Sequence, residues 1–158
     1  MQQLIVDIPS QNLFHYENEA LIRSYVISTA EKGVGEQYGS WQTPRGWHQI
    51  RAKIGAGEPL HTIFVQRRAV GIWTPQMEQD TPGKDWILTR ILWLSGLEVG
   101  FNRLYDCDTM RRCIYIHGCA ESRELGVPGS KGCIRMGNQD IIELFDTISV
   151  GTKVFIQT

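Results

Sequence analysis

The sequence predicts a mainly β fold, a sandwich or barrel, built as a single domain over residues 1–158. Three observations lead there. Short apolar, β-rich segments recur along the chain, polar stretches rich in Gly and Pro separate them, and only the segment after Cys133 carries a clear helical stripe.

In chain order, Gln2 to Ile8 reads as the first strand, interrupted only by Asp7. Asn12 to Tyr16 and Ala20 to Ser28 flank the polar tip Glu17-Asn18-Glu19, the pattern of a hairpin. Ala30 to Gly46 holds four glycines and a proline and reads as a long loop. Trp47 to Ile54, Thr62 to Gln66 and Ala69 to Trp73 are further strands, and Pro75 to Asp85 is again loop-like. Ile87 to Leu94 has the continuous apolar run of a buried strand. Arg112 to His117 follows, with Ile114 and Ile116 on one face and Cys113, Tyr115 and His117 on the other. Gly118 to Lys131 contains Gly126, Pro128 and Gly129, a loop that must fold back to bring Cys133 toward His117. Asn138 as N-cap, Asp140 in the first turn and the stripe Ile141, Leu144, Phe145, Ile148 predict the helix. Lys153 to Gln157 closes the chain as a strand.

Composition narrows the functional classes. With 158 residues, 42% of them hydrophobic and 21% charged, the chain can bury a core without disulfide support. A net charge of −1 gives no electrostatic pull toward nucleic acid or an anionic membrane, so neither is expected as a partner, and a monomer is expected. No apolar run approaches the ~20 residues of a membrane span. Met1 to Pro9 shows no basic, long apolar or cleavage-site pattern, so a natural start and a cytoplasmic location are expected. The alternative is a periplasmic protein whose signal segment has been removed. Cys107, Cys113, Cys119 and Cys133 all lie in the last third, which is not the spread of a disulfide framework and suits a reducing compartment. A zinc reading of Cys107, Cys113, His117 and Cys119 lacks the tight knuckles of structural sites, so neither metal nor cofactor is expected. Five tryptophans are spread over separate segments and read as core and loop anchors, with Trp41 and Trp86 the two that could line a groove.

The chemistry concentrates in two short stretches, Tyr115-Ile116-His117-Gly118 and Ser130-Lys131-Gly132-Cys133-Ile134-Arg135-Met136. A free thiol, with a pKa of ~8.5, is mostly protonated at neutral pH and needs a base. A histidine ending an apolar strand can serve, first as base and then as acid for a leaving amine. Gly132 permits a tight bend that opens the Gly132 and Cys133 N–H groups to an oxyanion. His15, His48 and His61 have no such context and read as surface or packing residues.

These stretches, continued by Asn138 and Asp140, resemble the signature of the L,D-transpeptidase (YkuD-like) catalytic domain. Asn12 to Tyr16, Leu21 to Tyr25, Thr43-Pro44-x-Gly46 and Gly151 to Val154 resemble other parts of that family, so the resemblance spans nearly the whole chain. It implies a mixed-sheet β-sandwich or barrel with one helix after the cysteine. By the same resemblance Cys133 is the nucleophile and His117 the base, with Gly132, Ser130 and Arg135 completing the catalytic set. Arg135 either engages a substrate carboxylate or makes a structural ion pair, and Ser130 either holds the loop, donates to substrate or caps a turn. Tyr115, Gly118 and Lys131 are candidate substrate contacts. Lys131 departs from the histidine many members carry there; it either lowers the thiol pKa or faces solvent. Cys119 either approaches Cys133 closely enough for a disulfide or is a small loop residue.

The implied substrate is a peptidoglycan stem peptide or muropeptide, attacked at its third residue with release of terminal D-alanine. Water as acceptor makes an L,D-carboxypeptidase of murein recycling, the reading favoured by a cytosolic location, with D-amino acid exchange as a side activity. An amine acceptor makes an exported L,D-transpeptidase that forms cross-links. A binding module that has lost activity would need a damaged signature, and His117, Ser130, Gly132, Cys133 and Arg135 are all present.

Overall fold

A computed structural model describes residues 1–158. Ten strands form one mixed sheet: β1 (Gln2–Asp7), β2 (Asn12–Glu17), β3 (Ala20–Ser28), β4 (Gly46–Ile54), β5 (Thr62–Val65), β6 (Arg68–Ile72), β7 (Leu88–Gly96), β8 (Tyr115–Gly118), β9 (Ile134–Met136) and β10 (Lys153–Gln157). The hydrogen-bonded order is β4-β10-β1-β2-β3-β9-β8-β7, closed into a barrel by the pairing of β7 with β4. The β5–β6 hairpin branches off β7 where Ile63 meets Leu88. Two pairings are parallel, β1 with β10 and β8 with β9, and the rest are antiparallel.

The β2–β3 hairpin turns tightly. Asn18 and Glu19 both have positive φ (49° and 70°), and Glu17 pairs with Ala20, as a two-residue turn matched to strand twist requires. One face of the strands lines an apolar core that includes Leu4, Leu13, Ile27, Ile116, Ile134 and Met136. Helix α2 (Asn138–Thr147) packs Ile141, Leu144 and Phe145 onto it, and Ile148, the residue that caps this helix, completes the cluster. A smaller cluster of Phe64, Ile91 and Tyr115 lies elsewhere, with Trp93 and Cys133 packed against it.

Three expectations need correction. Pro75 to Asp80 is a short helix, α1, where a loop was expected. Extended Thr74 precedes Pro75, whose fixed φ and missing N–H suit a first helical turn. With six residues and no buried side chain, this helix offers no apolar periodicity to read. Asn138 is the first helical residue rather than the cap; Gly137 holds the cap position. The strand expected from Arg112 begins only at Tyr115, because Cys113 has φ 56° and donates its N–H back to Met110 O in a turn.

Candidate active site

The parallel pairing of β8 with β9 sets His117 opposite Arg135 and Ile116 opposite Ile134. Ile116, Ile134 and Met136 point into the core, so His117 and Arg135 share the other face. Cys133, the residue before β9, reaches that face next to Tyr115: the Tyr115 N–H donates to Cys133 Sγ at 3.3 Å. The fold thus brings Cys133, His117, Arg135 and Tyr115 together.

His117 is fully buried. Its Nδ1 lies 2.6 Å from Gly118 O. A carbonyl can only accept, so Nδ1 carries the proton and Nε2 presents a bare lone pair, and Nε2 has no hydrogen-bond partner. Burial pushes the His117 pKa down, the nearby Asp85 carboxylate works against that, and Arg135 reinforces it. The ring is therefore held neutral, as a base should be.

Gly118 allows this arrangement. A Cβ there would meet Asn138 Oδ1 at 2.3 Å and Leu88 O at 2.7 Å. Asn138 is anchored in turn: its Nδ2 donates to Cys119 O at 2.8 Å, and Thr89 Oγ1 donates to its Oδ1 at 2.6 Å. Thr89 has φ 77°, uncommon for a β-branched residue, at the bulge where the β7–β8 register shifts. Gly118 therefore supplies close packing and the acceptor for the base rather than a side-chain contact.

The thiol does not touch the base. Cys133 S–H donates to Cys113 O at 3.3 Å, which favours the protonated form. Burial, above all, pushes the Cys133 pKa up to about 12, while the Tyr115 N–H and Arg135 oppose the rise. The S–H must leave Cys113 O before its proton can pass to His117 Nε2.

The loop before the cysteine is pinned from several sides. Ser130 Oγ donates to Cys133 O at 2.5 Å and accepts the Gly132 N–H at 3.2 Å, so the turn-capping reading of Ser130 describes its contacts. Of the two amides expected for an oxyanion, that of Gly132 is engaged; the Cys133 N–H has no acceptor in the loop. Gly132 adopts φ 128°, a left-handed value that disfavours any side chain. Thr43, fully buried, receives the Ala30 N–H and donates to Gly132 O, both at 2.9 Å.

Arg135 pairs with Asp85, so its contact is a structural ion pair. Tyr115 is buried, receives Arg67 Nη1 at 3.0 Å and meets Trp93 edge-on at 5.7 Å, so it supports the wall rather than the surface. Lys131 is exposed and stands 6.0 Å from the Trp41 ring centroid. The Cys119 thiol points at Met136 O (3.5 Å) and all four cysteines are free. The zinc grouping does not assemble: Cys107 donates to Leu104 O and Cys113 is exposed. Trp86 packs beside Trp73 under Lys84 Nζ, while Trp41 is exposed.

Asp85, Thr43 and Arg112 belong to the site although sequence reasoning assigned them no role. Arg112 donates to Gly35 O, Ser40 Oγ and Gln42 O, tying the 35–42 loop beside the nucleophile. Only the Thr43-Pro44-x-Gly46 turn carried a local signal, since Asp85 and Arg112 reach their partners through tertiary contacts.

Residues 1–156 match the family described as the L,D-transpeptidase catalytic domain, YkuD. The "Probable L,D-transpeptidase ErfK/SrfK" of Escherichia coli is 25% identical over 157 residues, covering 97% of this chain and 43% of that protein. An L,D-transpeptidase from Mycobacterium smegmatis superposes with TM-score 0.59 at 17% identity, over 99% of this chain and 58% of that one. L,D-transpeptidase 3 of Mycobacterium tuberculosis, solved with a faropenem-derived adduct, gives 0.61 at 13% identity, over 99% and 60%. The chain thus spans about half the length of these relatives.

Proposed function

The chain belongs to the L,D-transpeptidase catalytic domain (YkuD) family, and on that footing we propose that Cys133 is acylated by a peptidoglycan stem peptide. The observation that carries this reading is the bare, buried Nε2 of His117 on the same sheet face as the Cys133 thiol.

The thiol turns from Cys113 O and gives its proton to His117 Nε2 as sulfur attacks the carbonyl carbon of the third stem residue. The resting thiol, bonded to Cys113 O and pushed up by burial, keeps its proton until it meets His117. The Cys133 N–H, left without an acceptor in the loop, donates to the developing oxyanion. Collapse breaks the C–N bond, and Nε2–H returns its proton to the departing D-alanine amine. The thioester then meets water, giving a tripeptide, or an amine, giving an exchanged or cross-linked peptide. His117 serves as base for either acceptor. Hydrolysis would suit recycled muropeptides in the cytosol; aminolysis would suit polymer outside the membrane.

The test is incubation with a sugar-free tetrapeptide, with and without excess D-amino acid, read by mass. Tripeptide plus D-alanine, lost in Cys133→Ala, identifies an L,D-carboxypeptidase, and mainly exchanged peptide identifies a transpeptidase. No Cys133-dependent product from any stem peptide refutes acylation.

A further inference from the structure

Trp41 belongs to none of the apolar clusters and is 54% exposed, with Tyr38 66% exposed beside it in the same loop. Trp41 also holds φ 62°, a left-handed backbone that a bulky residue rarely adopts. An exposed indole held in a strained conformation has no packing role to account for it. Its loop is nonetheless firmly placed: Arg112 grips Gln42 O and Ser40 Oγ, and Tyr38 N–H donates to Asp106 O at 2.6 Å.

Two cavities meet at this indole. One, of about 250 Å³, is lined by Glu31, Lys32, Trp41, Ser130 and Lys131. The other, of about 310 Å³, includes Tyr38, Trp41, Arg111, Cys113 and Lys131. An aromatic face rimmed by charged hydrogen-bonding groups suits a pyranose ring, which is apolar across its C–H face and polar around its edge.

The spacing agrees. Ser130 and Lys131 lie three and two residues before the nucleophile. In a stem peptide attacked at the carbonyl of its third residue, three residues and one linking acyl group lead back to the sugar, about 13 Å of extended chain. The loop that carries Trp41 packs on the segment before the nucleophile: a Cβ on Gly132 would lie 3.5 Å from Gln42 O, and the Lys131 ammonium stands 6.0 Å from the indole centroid.

We propose that Trp41, with Tyr38 and Lys131, forms a sugar-stacking subsite, so that the protein takes stem peptides still attached to their amino sugar. The subsite deepens the acylation reading and rests on it. It makes Trp41 a specificity determinant for the sugar, with no part in the chemistry at Cys133.

The experiment compares disaccharide-tetrapeptide with sugar-free tetrapeptide in wild type, Trp41→Ala and Trp41→Phe. In Trp41→Ala, kcat/KM should fall about tenfold more for the sugar-linked substrate than for the sugar-free one, mainly through KM, the weight of one aromatic stacking contact. Trp41→Phe should recover most of the loss. Equal losses on the two substrates, or none on the sugar-linked one, overturn the subsite. Calorimetric binding of both ligands to Cys133→Ala and to Cys133→Ala/Trp41→Ala separates this from the acylation reading. Tighter binding of the sugar-linked ligand that depends on Trp41 supports the subsite even without turnover. Equal affinity for the two ligands, or a sugar preference indifferent to Trp41, overturns it.

Discussion

Replacing Asp85 by Asn should weaken the fold and shift the base in a known direction. The Arg135 side chain is 7% exposed and its partner Asp85 is 24% exposed. Removing one member of a well-buried pair costs ~3–5 kcal/mol, because a charge is left without compensation. Water reaches Asp85, which scales the expected loss to about 2 kcal/mol. The carboxylate also holds the His117 pKa up against burial. Without it, both burial and the now unpaired Arg135 push that pKa further down. The base then stays neutral to lower pH, and the acid limb of kcat/KM moves to lower pH. The same carboxylate helps raise the Cys133 thiol, so ultraviolet titration of the thiolate should also move downward. Urea unfolding and a pH–rate profile of Asp85→Asn read both effects. A loss under ~0.5 kcal/mol with an unmoved acid limb would refute the claim that this pair is buried and faces His117.

Thr43→Ala removes a buried hydroxyl that joins Ala30 N–H to Gly132 O; a stability loss of ~1–3 kcal/mol is expected, with slower acylation of Cys133, and an unchanged acylation rate would detach Thr43 from the site. His48 is fully buried between Gly46 O and Thr109, and burial pushes its pKa from 6.5 to about 4. Its contribution is therefore intact above pH 6.5 and drains away as pH falls toward 4, ~3 kcal/mol in all. Urea midpoints of His48→Asn should fall less steeply over that window than those of wild type, and parallel curves would count against the assignment. Exposed Cys113 should be alkylated before Cys133 at neutral pH, since the nucleophile is bonded to Cys113 O and its thiol is pushed up. Mass mapping of an iodoacetamide time course that found Cys133 first would mean a pre-ionised thiol.

The mainly β character, most strand positions, the helix after Cys133 and the facing of His117 away from Ile116 were legible in the sequence, because alternation and helical periodicity are local. The expectation that the fold gathers His117 and Cys133 came from the signature, whose residues lie in two short stretches; that they share one sheet face without a hydrogen bond between them came from the structure. Barrel closure was not: β7 meets β4 and β1 runs parallel to β10 across long separations, which no local pattern encodes. Nor was the environment that sets each group's chemistry. Asp85 reaches Arg135 across 50 residues, and Thr43 reaches Gly132 across 89. Arg135 looked as able to hold a substrate carboxylate as to pair within the protein, and Gly132 looked free to donate, until the fold supplied Asp85 and Ser130 as their partners. The sequence by itself determined which residue types stand at the site and on which face. Only the tertiary structure decided which hydrogen bonds they make and how far they are desolvated, because both depend on neighbours that backbone periodicity does not specify.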